Sequence, residues 1–594
     1  MMNKIEERLK LLREELRREH LSAFIFPTTD PHNSEYTADH WKGREWISGF
    51  TGSAGVAVVT LKSAALWTDS RYFIQAEEQL RGTEFQLMKQ KVEGTPTICE
   101  WIASELADMS DKEIGVDGMV SSVNDVEQLK EELKRRGGIT VRTNFDPLQR
   151  IWKDRPAIPQ NPVVIHPIEL AGEETTSKLR RIRQALRQQH ADGMLVVALD
   201  DIAWTLNLRG SDVHCNPVFV AYLLIASDKA TLFINKVKVS DEVRSYLKGQ
   251  GVEMAEYTEI AKGLRDYFEY NILLDPDEVC YTLYQQVTRN IVKETSPIPA
   301  LKAIKNEREQ LGFRSAMLRD GIALVKFLKW LDECIGKEKL TEISVSDKLE
   351  SLRAEQPLYR GLSFDTIAGY EEHGAIVHYE ATPETDVELH AKGLLLIDSG
   401  AQYQDGTTDV TRTIALGPLT EEQRRVYTLV LKGHLQLLHL HFPDGASGTQ
   451  LDAIARQDLW KAGFNYLHGT GHGVGSYLSV HEGPHQIRME WRPAKMREGM
   501  TVTDEPGVYL EGRFGVRIEN TLLIAWTQET ECGRFLKFEP LTICPIDKRP
   551  IIKDMLTDNE QKWLNQYHEM CYERLSPHLA EDEKVWLREA TLPI

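Results

Sequence analysis

Residues 394–413 read LLLIDSGAQYQDGTTDVTRT, and this stretch decides the fold class of the C-terminal half of the chain. An apolar run leads straight into Asp398, a turn follows around Tyr403 to Gly406, and a second strand carries Asp409. Two strands around such a turn predict a β-hairpin. Because side chains alternate between the faces of a sheet, a loop with an even number of residues places both carboxylates on one face.

The register of this hairpin sets the distance between the two aspartates. A two-residue turn at Asp405 and Gly406 would pair residue 402 with residue 409. It would leave Asp398 four residues away, roughly 13 Å at about 3.3 Å per residue. A shared metal ion needs a shorter distance, so we expect a wider loop or a β-bulge at one of the glycines.

A second hairpin of the same kind is predicted in residues 500–520, which read MTVTDEPGVYLEGRFGVRIEN. Glu505 closes the first strand before a Pro-Gly turn, and Glu519 lies on the returning strand. The two hairpins can therefore offer four carboxylates to one centre.

Histidines occupy three further segments. Residues 466–475 read YLHGTGHGVG, in which alternating glycines let the backbone approach closely and leave His468 and His472 unobstructed. His481 follows in the sequence VHEGP, and His378 stands upstream after an apolar pair. These segments bring imidazoles to the same part of the chain as the carboxylates.

The predicted cluster of carboxylates requires cations, because like charges at close range repel one another. Two divalent ions would balance the negative charges of Asp398, Asp409, Glu505 and Glu519. A donor set that is rich in oxygen and has one imidazole suits Mn²⁺, Co²⁺ or Fe²⁺. Two such ions a few ångströms apart can hold a bridging hydroxide at neutral pH and polarise a carbonyl group.

Each residue also has an ordinary structural explanation when it is taken alone. Asp398 and Glu505 are plausible turn acids at strand ends, and His378 and His481 are plausible hydrogen-bonded structural histidines. The glycine-rich run could be a phosphate loop, but it lacks the GxGxxG spacing and the Walker lysine. The joint pattern of hairpins and histidines favours a metal centre.

Composition limits the classes of function. The chain has 594 residues and a net charge of −19, from 71 basic and 90 acidic residues. Its length predicts about three or four domains, and its negative charge argues against nucleic acid as a partner. The seven cysteines lie far apart without CxxC spacing, so reduced thiols in a cytoplasmic protein are expected. The charged first residues and the lack of a long apolar run predict neither a signal peptide nor a membrane span.

Two proline-rich stretches divide the chain, because proline cannot continue a helix and restricts the residue before it. They lie at 155–162 and 296–300 and predict three domains, which are 1–155, 156–302 and 303–594. A charged helix that leads into a buried strand occurs near residue 21 and again near residue 191. This repeat predicts that the first two domains are related α/β domains.

The third domain is predicted to be α+β. Apolar residues that include Leu311 recur at helical spacing over 307–333. Thr420 and Gln423 form a capping-box pattern before another helix. Strands dominate residues 500–524, so we expect a central sheet that is largely antiparallel.

These motifs closely resemble the peptidase family with the pita-bread fold and, within it, the Xaa-Pro aminopeptidases. The resemblance is strongest in LNLRGSDVHCNPVF (206–219), IDSGAQYQDGTTDVTRT (397–413), YLHGTGHGVGSYLSVHEGP (466–484) and TDEPGVYLEGRFGVRIEN (503–520). WISGFTGSAG and WTDSRYF near the N-terminus match as well. The resemblance implies two creatinase-like domains followed by a pita-bread catalytic domain with a C-terminal extension. It also implies hydrolysis of the bond between any N-terminal residue and a penultimate proline by a hydroxide that bridges two metal ions.

The resemblance implies a metal-binding role for five residues, and all five positions are occupied as the family requires. Asp398 would bind one metal ion, Asp409 and Glu519 would bridge both ions, and His472 and Glu505 would complete the second site. Mn²⁺ is the metal expected, with Co²⁺, Fe²⁺ or Zn²⁺ as alternatives.

The resemblance further implies catalytic roles for three residues. Glu505 would take a proton from the bridging water and return it to the leaving proline nitrogen. His378 and His481 would stabilise the oxyanion. His468 would line the pocket for the proline ring, and the full set of implied substrate-binding residues is Arg71, His378, His468, His472, His481 and Arg517. The family is usually homodimeric, so the expected partners are peptides with proline at position two and a second copy of the chain.

Four alternatives stay open. Prolidase uses the same chemistry but cleaves only Xaa-Pro dipeptides, whereas methionine aminopeptidase lacks two such N-terminal domains. Creatinase shares the fold but uses no metal ions. A pita-bread domain that only binds proteins or peptides would have lost metal-binding residues. The intermediate domain and the complete ligand set favour the aminopeptidase.

Overall fold

The structure is a computed structural model that describes residues 4–110 and 112–594. The chain divides into two compact units. The first comprises residues up to His166, Glu173–His214 and Val218–Ile298, and the second comprises Pro167–Gly172, Cys215–Pro217 and Pro299–Ile594. Among the described residues, each helix is too short or too polar to cross a bilayer.

The first unit contains two α/β domains. Its strands are β1 (Ala23–Pro27), β2 (Val56–Thr60), β3 (Ala64–Thr68), β4 (Phe85–Lys89), β5 (Glu113–Val116), β6 (Thr140–Arg142), β7 (Val164–Ile165), β8 (Gly193–Val196), β9 (Leu208–Arg209), β10 (Ala221–Ile225), β11 (Ala230–Ile234), β12 (Val252–Ala255), β13 (Asn271–Leu274) and β14 (Asn290–Lys293). The helices over the same span, of which α7 belongs to the second unit, are α1 (Lys4–Arg18), α2 (Gly43–Ser48), α3 (Phe73–Gln79), α4 (Ile98–Glu105), α5 (Val123–Gly137), α6 (Leu148–Ile151), α7 (Ile168–Ala171), α8 (Thr175–Gln188), α9 (Leu199–Leu206), α10 (Asp241–Gly249), α11 (Ile260–Arg265) and α12 (Tyr281–Tyr284).

The two domains share one topology, which confirms that they are related. One sheet has the order β4-β3-β2-β1-β5-β6 and the other has the order β12-β11-β10-β8-β13-β14, with the same parallel and antiparallel neighbours at each position. A histidine with positive φ lies two residues after the helix that precedes each central strand, His20 at 56° after α1 and His190 at 59° after α8. A left-handed conformation is uncommon for a residue other than glycine. Its recurrence at equivalent positions therefore supports the relationship between the two domains.

The second unit is built on antiparallel strands, as predicted. Its strands are β15 (Leu340–Thr341), β16 (Tyr359–Tyr370), β17 (Glu388–Leu389), β18 (Leu394–Tyr403), β19 (Gly406–Thr407), β20 (Val410–Ala415), β21 (His441–Pro443), β22 (Gly471–Gly473), β23 (Glu482–Ile487), β24 (Thr501–Asp504), β25 (Gly507–Leu510), β26 (Phe514–Arg517), β27 (Asn520–Thr530) and β28 (Gly533–Pro540). The remaining helices are α13 (Ile298–Ala303), α14 (Glu307–Cys334), α15 (Glu342–Ala354), α16 (Glu421–Leu438), α17 (Gly448–Lys461), α18 (Asp558–Leu575) and α19 (Glu581–Ala590).

Helices of the second unit pack on its sheets, and several of them (α14, α15, α16 and α18) begin at residues whose side chains cap the helix. The capping box predicted at Thr420 and Gln423 is present at the start of α16. Helix α14 covers the predicted span, but the prediction that Leu311 belongs to its apolar face is wrong, because this side chain is 56% exposed. Leu311 therefore lies on the solvent side of the first turns of α14.

The proline-rich stretches differ from each other in the structure. Residues 155–163 form neither helix nor strand, as predicted for the first stretch. The second stretch is shorter than predicted, because α13 begins at Ile298 and includes Pro299. Proline is tolerated in the first turn of a helix, where its missing N–H has no intrahelical partner. All seven cysteines are free in the structure.

Candidate metal centre

The first carboxylate-bearing hairpin has one continuous register. Gln402 pairs with Thr407, and Asp398 pairs with Thr411, so Asp409 falls opposite Gly400. The expectation of a wider loop or a bulge is therefore wrong, because the two-residue turn lies at positions 404 and 405, one residue earlier than assumed. Asp398 and Asp409 become diagonal neighbours on one face, where side chains approach to about 7 Å.

Helix α14 explains where this turn forms. Asp405 makes an ion pair with Arg319 of that helix. The helix approaches so closely that a Cβ atom at Gly312 would lie 2.1 Å from the Asp405 carbonyl oxygen. Tertiary packing therefore holds Asp405 inside the turn, against the local preference of the Asp-Gly pair for the two central turn positions.

The second hairpin places its two glutamates opposite each other. Asp504 pairs with Asn520, and Gly507 pairs with Arg517, so the same register sets Glu505 against Glu519 between the two ladders. Both glutamates lie outside the formal strands, at the break between β24 and β25 and at the break between β26 and β27.

Hydrogen bonds join the two hairpins side by side. The Glu519 N–H donates to the Thr411 carbonyl at 3.1 Å, and the Thr411 hydroxyl donates to Glu519 Oε2 at 2.8 Å. Two residues further along the same strand, the Thr413 hydroxyl donates to the Arg517 carbonyl at 2.8 Å. The threonines of the TRT motif thus align the second hairpin against the first.

His472 lies on β22 and faces the acids through Nε2. Its Nδ1–H donates to the Gly473 carbonyl at 2.8 Å, and its backbone N–H donates to the Thr503 hydroxyl at 3.1 Å. A Cβ atom at Gly471 would lie 1.9 Å from the Thr503 carbonyl oxygen, so glycine is required for β22 to approach β24. This close approach agrees with the interpretation of the alternating glycines.

The structure brings the predicted ligands together. Ligand atoms of Asp409, His472 and Glu519 lie within 4.8 Å of one another. His472 Nε2 is 3.4 Å from Asp409 Oδ2 and 3.6 Å from Glu505 Oε1. Asp398 joins the group through the shared face of the first hairpin and through its electrostatic contact with Asp409.

Burial and mutual repulsion oppose ionisation of these acids. Burial raises the pKa of Asp398, although Arg517 opposes the shift. Burial raises the pKa of Glu505 to about 7, and burial together with the other acids raises the pKa of Glu519 well above its usual range. Burial disfavours the charged form of His472, but Asp409 and Glu505 outweigh it and raise its pKa to about 9.

These residues fit a pair of divalent cations. Asp398 Oδ1 is buried and has no hydrogen-bond partner in the described part of the chain. The donor set consists of carboxylate oxygens and one imidazole nitrogen, which suits Mn²⁺, Fe²⁺ or Co²⁺. His472 already donates through Nδ1, and such a second bond orients a metal-binding imidazole.

Arg517 connects the acids to His468 through Tyr509. Its guanidinium donates to Asp398 Oδ2 at 2.7 Å and to the Tyr509 hydroxyl at 2.7 Å. The Tyr509 hydroxyl and His468 Nε2 are 2.8 Å apart, and His468 Nδ1 donates to the Gly469 carbonyl at 2.7 Å, which leaves Nε2 as the acceptor. Tyr509 was not predicted, because its position four residues after Glu505 carries no signal of its own.

The other predicted site residues lie at different distances from the acids. The rings of His481 and His472 are 4.4 Å apart. The residue before His378, Val377, accepts a hydrogen bond from Arg517 at 3.3 Å. Arg71 belongs to the first unit, where it pairs with Asp69 at 2.8 Å, and its contact with substrate stays a prediction.

Three buried networks behind the site were not predicted. Glu342 accepts from Tyr370 N and contacts His373 and Tyr379, which anchors the loop before His378. Lys305 pairs with Glu482, the neighbour of His481. Asp452 and Arg456 of α17 contact the glycine-rich segment. Only the last pair had a sequence signal, which is the acid–base spacing of four residues on a helix.

Family models divide the chain into four matched parts. Residues 8–147 and 154–309 each match a model of the creatinase/prolidase N-terminal domain. Residues 312–525 match metallopeptidase family M24, and residues 534–594 match the C-terminal region of that family. The predicted fold class is confirmed, whereas the boundaries at 155 and 302 stay predictions.

Similar proteins, including one of solved structure, match this chain over almost its whole length. It is 40% identical over 629 residues to Aminopeptidase P1 of Arabidopsis thaliana, with 97% of each chain covered. It is 39% identical over 613 residues to Xaa-Pro aminopeptidase 1 of Dictyostelium discoideum, with 99% of this chain and 97% of the relative covered. The crystal structure of X-prolyl aminopeptidase from Caenorhabditis elegans, described as a cytosolic enzyme with a di-nuclear active site, matches with a TM-score of 0.95 and 35% identity over 100% of both chains.

Proposed function

We propose a specific reaction for this chain, which belongs to the Xaa-Pro aminopeptidases of metallopeptidase family M24. In this reaction the protein hydrolyses the bond between any N-terminal residue and a proline at position two. The observation that carries the proposal is the convergence of Asp409, His472 and Glu519 within 4.8 Å, beside Glu505 and Asp398. The solved relative described as di-nuclear supports two metal ions at this place.

Four acids and one imidazole would hold the metals, as expected from the sequence. Asp398 would hold one ion, Asp409 and Glu519 would be shared by both ions, and His472 and Glu505 would complete the second site. When bound there, the two ions supply a deprotonated water at neutral pH and polarise the scissile carbonyl. Mn²⁺ is the proposed metal, because the donors are mostly oxygen.

Protons move through Glu505 in this proposal. Its carboxylate lies 3.6 Å from His472 and 3.9 Å from His468, at the edge of the ligand cluster, and it is more exposed than Glu519. It would accept the proton that the water loses and would deliver that same proton to the proline nitrogen as the bond breaks. The proline nitrogen needs this proton because it leaves as a secondary amine.

Imidazoles complete the substrate site. His378 and His481 donate to the oxygen of the scissile carbonyl, where negative charge develops. His468 lines the pocket for the proline ring, and its acceptance of the Tyr509 hydroxyl fixes its tautomer. Arg517 neutralises part of the acid cluster through Asp398.

The chemistry of the substrate explains the need for such a site. An Xaa-Pro bond is a tertiary amide without an N–H, and proline fixes its own φ. A peptidase that recognises that N–H, or an extended strand, binds such a bond poorly. A pocket shaped for the ring can favour it through apolar contact, while the free amine of the first residue meets the carboxylates.

We further propose a cytoplasmic homodimer. The seven free cysteines suit a reducing compartment, and the C. elegans relative is described as cytosolic. Homodimerisation follows from the family expectation. Light scattering of the purified protein tests it, and a mass equal to one chain would contradict it.

Three peptides test the reaction. The purified protein is incubated with Mn²⁺ and with an Xaa-Pro-Yaa tripeptide, an Xaa-Pro dipeptide or an Xaa-Ala-Yaa tripeptide, and release of the first residue is measured. Release from the Xaa-Pro tripeptide and none from the alanine control is expected. Release from the dipeptide alone would move the assignment to prolidase, and release from none would contradict the proposal.

A further inference from the structure

A buried polar network lies behind the glycine-rich segment. We call Asp452, Arg456, Tyr466 and Thr470 the Arg456 network. Arg456 and Thr470 are 0% exposed, Tyr466 is 1% exposed and Asp452 is 2% exposed. Asp452 and Arg456 stand one turn apart on α17, and Arg456 Nε donates to Asp452 Oδ2 at 2.6 Å.

Arg456 holds the backbone around His468. Its Nη2 donates to the His468 carbonyl at 3.0 Å, and its Nη1 donates to the Tyr466 carbonyl. The guanidinium carbon lies 3.6 Å from the centre of the Tyr466 ring. One planar side chain therefore fixes the carbonyls on both sides of Leu467, a geometry that the guanidinium fork allows and an ammonium does not.

Thr470 ties the same network to the catalytic glutamate. Its hydroxyl donates to Asp452 Oδ1 at 2.6 Å, so the Tyr466 hydroxyl, at 2.6 Å, must be the donor to Thr470 Oγ1. The Thr470 carbonyl accepts from the Glu505 N–H at 2.7 Å. Thr470 stands between Gly469 and Gly471, so the backbone on either side gains little order from its own side chains.

We propose that Asp452 and Arg456 are positioning residues for the peptidase reaction. They act through Thr470 and the His468 carbonyl to fix Glu505 and His468 relative to the metal ligands, and this inference rests on the proposed function. A buried ion pair alone adds little net stability compared with apolar side chains of similar size. The backbone contacts on both sides of His468 give this pair a role that apolar side chains could not fill.

Substitution of Thr470 tests the inference with small changes of volume. Thr470→Val removes the hydroxyl and keeps the shape, whereas Thr470→Ser keeps the hydroxyl. Misplacement of a catalytic group lowers rates by up to about 10²-fold, so Thr470→Val is expected to lower kcat about 10- to 100-fold with a smaller change in KM. Thr470→Ser is expected to stay within about threefold of the wild type.

Thr428→Val is the matched structural control. Thr428 is 0% exposed in the same unit, and its hydroxyl also makes two hydrogen bonds, to the Arg424 carbonyl and from the Ile552 N–H. Loss of this hydroxyl should lower the melting temperature much as Thr470→Val does, yet leave kcat and KM unchanged. A fall in kcat equal to that of Thr470→Val would show a general stability effect and overturn the inference.

Hydrogen exchange gives a readout that needs no activity. In Thr470→Val with Mn²⁺ bound, the amides of residues 468–472 and of Glu505 are expected to exchange faster, and those of α16 are expected to be unchanged. If the wild type cleaves no Xaa-Pro peptide, the proposed function has failed, and exchange still decides whether the network orders the segment. Wild-type exchange in Thr470→Val, or wild-type kcat, would overturn the positioning role.

Discussion

Two groups of buried charge, one in each unit, are arranged differently. In the first unit, Lys238 pairs with Asp212, and the side chains are 1% and 0% exposed. In the second unit, a group of four carboxylates gathers around one guanidinium and one imidazole; it consists of Asp398, Asp409, Glu505 and Glu519. The first arrangement is balanced, whereas the second holds excess negative charge. Buried charge without equal counter-charge destabilises a fold, so the excess marks a site that cations complete.

The largest expected effect comes from removing one carboxylate, that of Glu519, from the acid cluster of the second unit. Glu519→Gln keeps the shape of the side chain but removes a carboxylate that we propose is shared by the two metal ions. We expect kcat/KM to fall about 10⁴-fold or more, equivalent to about 5.5 kcal/mol. The measurement is tripeptide hydrolysis together with metal content by mass spectrometry.

The same variant should not destabilise the metal-free protein, because it removes one of several repelling charges. Glu531→Gln, at an exposed position, is the control and should retain full activity. A metal-free Glu519→Gln protein that melts well below the metal-free wild type would show that the carboxylate cluster is not a source of repulsion.

The corresponding change in the first unit should act on stability alone. Lys238→Met leaves the buried Asp212 carboxylate without its counter-charge. Breaking a buried pair in this way lowers the free energy of unfolding by about 3–5 kcal/mol. Urea unfolding of the first unit measures the loss. Activity per folded molecule should equal that of the wild type, and adding Asp212→Asn should recover part of the stability. A loss of activity in the still-folded protein would contradict the division of roles.

Chelation should loosen the second unit and leave the first unchanged. Metal present at 100 times its dissociation constant stabilises the bound state by about 2.7 kcal/mol. After treatment with EDTA, hydrogen exchange should rise around the two hairpins, and the sheets of the first unit should keep their protection. Equal loosening of both units, or none, would contradict the assignment of the metals.

The smallest expected effect concerns His568, a buried histidine outside the metal centre. Its pKa is shifted in the opposite direction from that of His472, whose neighbouring acids raise the pKa to about 9. Burial lowers the pKa of His568 to about 4, and its Nε2 accepts the Ile546 N–H at 3.2 Å. Because the pKa is lowered in the folded protein, stability is complete above pH 6.5 and declines as the pH falls towards 4. At pH 5 the loss is roughly 2 kcal/mol.

His568→Gln isolates this contribution, since all other groups stay constant. Between pH 7 and pH 5, the metal-free wild type should lose roughly 2 kcal/mol more than the variant in urea unfolding. Equal losses in the two proteins would show that His568 accepts a proton without loss of its hydrogen bond.

Local patterns in the sequence predicted the elements that carry the site. Acids at strand ends and glycines around His472 indicated two hairpins and a close approach, because strand alternation and the missing Cβ are local properties. The repeat of a helix and a strand likewise predicted two related domains. These features need no knowledge of distant neighbours.

Other features depended on distant neighbours and could not be predicted. The turn at 404 and 405 is set by Arg319 and by the packing of Gly312, far away in the sequence. Leu311 follows the helical apolar spacing and is nevertheless exposed. Tyr509 contacts Arg517 within the second hairpin, but its contact with His468 arises only when that hairpin meets the glycine-rich segment, 41 residues earlier in the chain.

We infer that this negative cluster is a peptidase centre that two divalent ions complete. The most direct measurement is a titration of the metal-free protein with Mn²⁺ during hydrolysis of an Xaa-Pro-Yaa tripeptide. Activity is expected to start near zero and to saturate at two bound ions per chain. Full activity without metal, or bound Mn²⁺ that restores no cleavage of the tripeptide, would contradict this inference.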